Sequence, residues 1–250
     1  MAEPVADIVE ETLRLLHAAD GQGVGLRLIG GLAVRLHSGD GRLAAFDREF
    51  KDVDFAIRLE DSRKADALFI AMGYRADRAF NALNAGNRAI YEDVAHGRHI
   101  DVFVDSFEMC HRIPIADRML IERATIPLAE LLLTKLQIVE VNEKDQRDIC
   151  ALLHEHEVGE SDDETINAAE VARLCAADWG LWRTCLLNVE KMRDAVGRYD
   201  IPESDRDVIR RRLEQLWARI EQEPKSRKWK LRDRIGDRRQ WYLEPEEVGP

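Results

Sequence analysis

Cysteine is scarce in this chain: Cys110, Cys150, Cys175 and Cys185 are the only four in 250 residues, with no CxxC pair and no zinc-type quartet. A disulfide scaffold is excluded, and the expectation is of buried, reduced thiols in a cytoplasmic protein. Nowhere does the chain hold the roughly 18 consecutive apolar residues of a membrane helix. The first twenty residues are acidic and amphipathic, without the basic start and apolar centre of a secretion signal. Basic charge is in deficit, with 37 Lys+Arg against 48 Asp+Glu and a formal net charge of −11. Such a surface repels polyanions overall, which argues against broad nucleic-acid binding. Internal repeats and low-complexity tracts are also missing.

The chain does have apolar residues: 45% of it is hydrophobic, too much for a mainly disordered protein and enough for one large or two modest domains. Val5, Ile8, Val9, Leu13 and Leu16 recur at a helical period. A short strand over 23–29 then leads through Gly30-Gly31 into a helical run. Asp52 to Ile57 alternates with period two and predicts a strand, as do 74–80, 88–94 and 98–105. Asp61 to Met72 predicts a helix ending at Gly73, and 38–47 a loop. From Pro127 onward helices dominate, over 128–141, 144–154, 166–176, 179–196 and 205–222. Ser161 and Glu164 match a capping box. These patterns predict a mixed-sheet α/β domain over 1–158 and a helical region with a basic tail over 159–250. Asp205 to Arg239 holds 13 Lys+Arg and 7 Asp+Glu, net +6, so the rest of the chain carries −17.

Three carboxylates on two strands carry the chemical signal. Residues i and i+2 of a strand share a face, so Asp52 and Asp54 project together while Val53 and Phe55 turn to the core. If the strand bearing Asp101 is a neighbour, a third carboxylate joins them. Converging carboxylates repel one another unless a hard cation lies between them, and Mg²⁺ takes oxygen ligands while keeping positions for phosphates. Upstream, Gly30-Gly31 offers a side-chain-free turn into a helix N-terminus, whose amides and dipole favour an anion. A lone Asp-x-Asp or a lone Gly-Gly is usually bland; their order here is what makes them informative. His154 and His156 diverge on a helix and are expected to be solvated. His99 shares a strand face with Asp101. Trp179, Trp182 and Trp217 are expected in the helical core, and Trp229 and Trp241, among basic residues, either stack on bases or pack the tail.

Gly30, Gly31, Asp52, Asp54 and Asp101 together resemble the nucleotidyltransferase superfamily. Arg48-Glu49-Phe50-Lys51-Asp52-Val53-Asp54-Phe55, Thr134-Lys135-Leu136 and Lys144-Asp145-Gln146-Arg147-Asp148 look like its AbiEii-like, abortive-infection and toxin-type branch. Phe50 replaces the branch's usual hydroxyl, and the spacer of 20 residues between Gly31 and Asp52 is long. The resemblance covers about 24–155. It implies a nucleotidyltransferase-like mixed sheet with flanking helices, and an enzyme moving a nucleoside monophosphate from a nucleoside triphosphate to an acceptor hydroxyl with release of pyrophosphate. By it, Asp52, Asp54 and Asp101 would be catalytic and hold Mg²⁺, or Mn²⁺ in its place. Gly30, Gly31, Arg48, Lys51 and Lys135 would contact the nucleotide. The acceptor stays open among RNA, protein and small molecule: the +6 segment favours RNA and the overall acidity opposes it. No antitoxin partner can be deduced. The alternative is an inactive nucleotide-binding or interaction module of the same fold. A glycosyltransferase reading of Asp52-Val53-Asp54 as a D-x-D triplet wants a large nucleotide-binding α/β unit before it, and is not the expectation.

Overall fold

The computed structural model describes residues 3–39 and 42–244. The chain divides into two compact units, one of residues 1–36, 49–107 and 114–127, the other of 37–48, 108–113 and 128–250.

The first unit is built on a five-stranded mixed sheet. Its strands are β1 (Arg27–Ile29), β2 (Val53–Ile57), β3 (Arg75–Ala76), β4 (Arg88–Asp93) and β5 (Arg98–Val104), in the order β1-β2-β5-β4-β3. β2 and β5 run parallel; the other neighbours are antiparallel. Gly97, with φ +64°, makes the tight turn from β4 to β5. Helix α1 (Ile8–Gly21) is capped by Asp7, whose carboxylate accepts from the Val9 and Glu10 amides. α2 (Gly30–His37) follows β1 directly, and α3 (Ser62–Ala71) ends just before Gly73 at φ +95°. Leu15, Phe55, Leu68, Phe69 and Ile100 are fully buried, and Phe69 stacks on Tyr91 with ring centroids 4.5 Å apart. One acid is deep in this core. Burial pushes the pKa of Glu11 up, but hydrogen bonds from Arg14, Tyr74 and the Val5 amide outweigh that and leave it lowered.

Two local expectations in this unit are corrected. Strand character over 74–80 survives only at Arg75–Ala76, because Asp77 caps a helix instead: its carboxylate accepts from the Phe80 amide at 2.9 Å and α4 (Arg78–Leu83) follows. The first strand is also shorter than 23–29.

The second unit is helical: α5 (Leu128–Leu136), α6 (Glu143–Glu155), α7 (Ala168–Ala177), α8 (Trp179–Ala195), α9 (Glu203–Gln222) and α10 (Arg227–Ile235). Asn167, not Ser161, caps α7 and accepts from the Glu170 amide, while Glu164 sits at φ +53°, outside any helix. Gly180 lies inside the first turn of α8, which Asp178 caps. The tryptophans form a connected cluster. Trp182 has its ring centroid 6.3 Å from Trp179, 6.1 Å from Trp217 and 5.0 Å from Trp229, and Trp241 reaches Trp179 at 6.3 Å. Trp229 is buried, its indole donating to the Cys175 carbonyl, so the basic stretch folds as α10 rather than trailing as a tail. The four cysteines are free and buried. His154 and His156 are half-buried rather than solvated, His154 near Asp205 and His156 edge-on to His37 at 5.4 Å. Among the described residues no helix is long and apolar enough to cross a membrane.

Candidate functional site

The strand register gathers the sequence-predicted residues of the first unit. Ile29 lies opposite Asp54 in the antiparallel β1–β2 pair, and Asp54 lies opposite Asp101 in the parallel β2–β5 pair. Asp54 and Asp101 therefore stand side by side on one face, both partly exposed, while Val53, Phe55, Ile100 and Val102 are buried on the other. Asp52, exposed, precedes β2 by one residue, and Lys51 beside it is exposed and makes no ion pair among the described residues. His99 is exposed on β5, opposite Glu92.

Gly30 is tied to this pair by geometry. It has φ +74°, in the region that favours glycine, and a Cβ placed on it would lie 2.3 Å from Asp54 Oδ2. A side chain there is disfavoured by the backbone and would displace the carboxylate. Gly31 follows as a buried residue in the first turn of α2, so amide donors begin directly beside Asp54.

Asp101 is ion-paired. Arg88 Nε and Nη2 both approach its Oδ1 at 2.9 Å, and the guanidinium lies 5.1 Å from the Phe103 ring centroid and 5.8 Å from that of Phe80. Among the described residues no group of three or more His, Cys, Asp and Glu side chains is gathered closely enough to hold a metal ion. Arg88 draws on Asp101, and Asp52 lies out in solvent, so the three carboxylates do not converge on one point.

Arg48 and Lys135 belong to the second unit, where they form a compact ion cluster. Arg48 Nε and Nη2 grip both oxygens of Asp148 at 3.0 and 2.9 Å, while Lys135 Nζ bonds Asp148 at 2.9 Å and Asp145 at 3.1 Å. Burial pulls the Lys135 pKa down, but Asp148 and Asp145 outweigh it and raise it. Burial pushes Asp148 up, and Lys135 with Arg48 reverses that, leaving its carboxyl below the usual range. Two cations and two carboxylates balance. The motif positions Arg48, Lys135, Asp145 and Asp148 thus meet although they lie up to 100 residues apart.

Arg88 escaped the sequence reading altogether. The only available signal was its place at the head of a predicted strand, since its pairing with Asp101 depends on a register that one strand alone does not specify.

No protein-family model matches the chain, and no curated protein matches it. Among solved structures, one that it resembles is the solution structure of the antibiotic-resistance factor ANT(2'')-Ia, at 15% sequence identity and a TM-score of 0.44, over 68% of this chain and 94% of that one.

Proposed function

We propose that the chain is a nucleotidyltransferase, moving a nucleoside monophosphate from a nucleoside triphosphate to an acceptor hydroxyl. The observation that carries the reading is the register Ile29–Asp54–Asp101 across three adjacent strands, with Gly30 held against the Asp54 carboxylate. The donor chemistry suits a hard divalent cation, since every candidate ligand is a carboxylate oxygen, and the missing Cβ at Gly30 lets the Asp54 carboxylate lie against the start of α2; the ion would have to draw the carboxylates together. Asp54 and Asp101, joined by Asp52, would hold Mg²⁺ or Mn²⁺. When bound, that ion would supply charge neutralisation at the triphosphate and at the departing oxygen.

The protein's own residues would do the rest. The amides at the start of α2, with Gly30 and Gly31 bare, suit phosphate oxygens. Lys51, exposed and without a carboxylate partner among the described residues, is the cation best able to meet a phosphate. Arg48 and Lys135 are already committed to Asp148 and Asp145, which supports a structural task ahead of a nucleotide contact. The acceptor oxygen attacks the α-phosphorus, the bond to the bridging oxygen breaks, pyrophosphate leaves, and the hydroxyl proton passes to a base or to water. The AbiEii-like assignment rests on the motif residues, and the convergence of Arg48, Lys135, Asp145 and Asp148 supports treating them as one device.

RNA is the favoured acceptor on one observation. Arg227, Lys228, Lys230, Arg234, Arg238 and Arg239 on and after α10 are exposed and have no carboxylate partner among the described residues. The acids of that stretch are engaged elsewhere: Asp233 accepts from Trp179 Nε1 and Asp237 from Arg183. The second reading, an inactive nucleotide-binding module, is favoured by the Arg88–Asp101 pair and the ungathered carboxylates. Calorimetric titration of ATP, GTP, CTP and UTP, with and without Mg²⁺, into the wild type and Asp54→Asn tests both. Magnesium-dependent binding of a triphosphate that Asp54→Asn abolishes, followed by transfer of label to an acceptor, supports the enzyme. Binding indifferent to Asp54 and to Mg²⁺ refutes it.

A further inference from the structure

We propose that Arg88 is the resident counter-cation of Asp101, a positioning residue with which a divalent ion at the carboxylate pair must compete; the inference rests on the nucleotidyl-transfer reading above. In the β4–β5 register Arg88 lies opposite Phe103 and Ile90 opposite Asp101, so Arg88 and Asp101 are diagonal neighbours on one sheet face. Both guanidinium contacts fall on Oδ1 at 2.9 Å, and Oδ2 accepts no hydrogen bond from the described residues. The aromatic faces of Phe103 and Phe80 hold the cation from behind, an arrangement that favours the planar guanidinium.

The pair solves a problem set by the sheet itself. Asp54 and Asp101 are like charges directly opposite on neighbouring strands, an arrangement that destabilises a sheet unless a cation offsets it. Arg88 supplies that cation from within the chain, so the strands can pair before any ion arrives. The same positive charge then opposes an incoming divalent ion. Because the two side chains are only 18% and 19% exposed, solvent screens this opposition incompletely. A unit charge at about 6 Å from a divalent ion changes affinity by about tenfold even at the dielectric of bulk water, and by more where solvent screens less, so tenfold is the lower bound.

The experiment uses the full chain and Mn²⁺ alone as probe, followed by calorimetry and by melting temperature with and without the ion. Arg88→Ala should bind Mn²⁺ about tenfold more tightly than the wild type. Its ion-free form should melt lower, and Mn²⁺ should raise that melting temperature by more than it raises the wild type's. Arg88→Gln keeps a donor to Asp101 without the charge and should tighten binding as well, so the test survives if the alanine variant folds poorly. Arg88→Lys, which keeps the charge, should return affinity to near the wild-type value. An arginine with a purely structural role would leave affinity unchanged or weaken it, and either result in Arg88→Ala and Arg88→Gln, with the wild type binding, overturns the proposal alone. Binding by the uncharged variants and not by the wild type supports it. Absence of Asp54-dependent binding in all of them overturns the reading of the site, and the proposal with it.

Discussion

Gly30→Ala separates backbone strain from site geometry. Gly30 has φ +74°, and alanine in that region costs about 1 kcal/mol. Gly97 is its natural control: it has φ +64°, and a Cβ there meets nothing within 4 Å. At Gly30 the new methyl would instead lie 2.3 Å from Asp54 Oδ2, 3.2 Å from its Cγ and 3.3 Å from its Cβ. The carboxylate is the mobile end of a short side chain and can swing clear, so the collision should add little to the loss of stability. Its effect falls on where the Asp54 oxygens point. Both variants should lose about 1 kcal/mol of unfolding free energy in urea, and only Gly30→Ala should lose magnesium-dependent triphosphate binding. Replacing Asp54 with glycine removes the whole obstruction, and Gly30→Ala in that background should cost no more than Gly97→Ala does. Equal triphosphate binding by Gly30→Ala and Gly97→Ala would refute the link between the glycine and the carboxylate.

Other expectations follow from the same contacts. Asp148→Ala leaves Arg48 and Lys135 facing each other without their shared carboxylate, and should destabilise the protein by about 3 kcal/mol in urea denaturation; a change below 1 kcal/mol would contradict the cluster's structural role. Asp148 has a lowered pKa, so its stabilisation is complete above the ordinary aspartate value and is lost as pH falls through the lowered one. Lys135 has a raised pKa, so its share is present below the ordinary lysine value and is lost as pH rises through the raised one. His37 is held neutral, mainly by burial and then by His156, its pKa lowered to about 4. The unfolded chain takes up a proton below pH 6.5 that the folded chain refuses. Stability should therefore fall by about 2 kcal/mol between pH 7.5 and 5 through this group, and His37→Gln should flatten that slope. Replacing Arg227, Lys230 and Arg234 with alanine should reduce the slope of log affinity against log salt for single-stranded RNA by about 2; an unchanged slope would remove α10 from RNA binding.

What could be read from the sequence follows the range of the forces involved. β2 and β5 were legible because a half-buried strand writes its own alternation, and Val53, Phe55, Ile100 and Val102 are buried where the period requires. The switch to helices after Pro127 was legible for the same reason. Capping was not legible. Asp77 turned an apparent strand into α4, and Asn167 displaced Ser161, because an N-cap is settled by which chain direction the packed helix takes. Of the site, residue types and order were visible, while the partners of Asp101 and Lys135 were not. Arg88 reaches Asp101 across a hairpin, and Arg48 reaches Asp148 across 100 residues. Both contacts arise from charge balance in a folded state, where each buried or opposed carboxylate takes the nearest cation that backbone pairing provides. A sequence motif can thus announce a set of carboxylates without saying which of them the protein itself neutralises. In this chain Asp101 is one that it does neutralise, through Arg88.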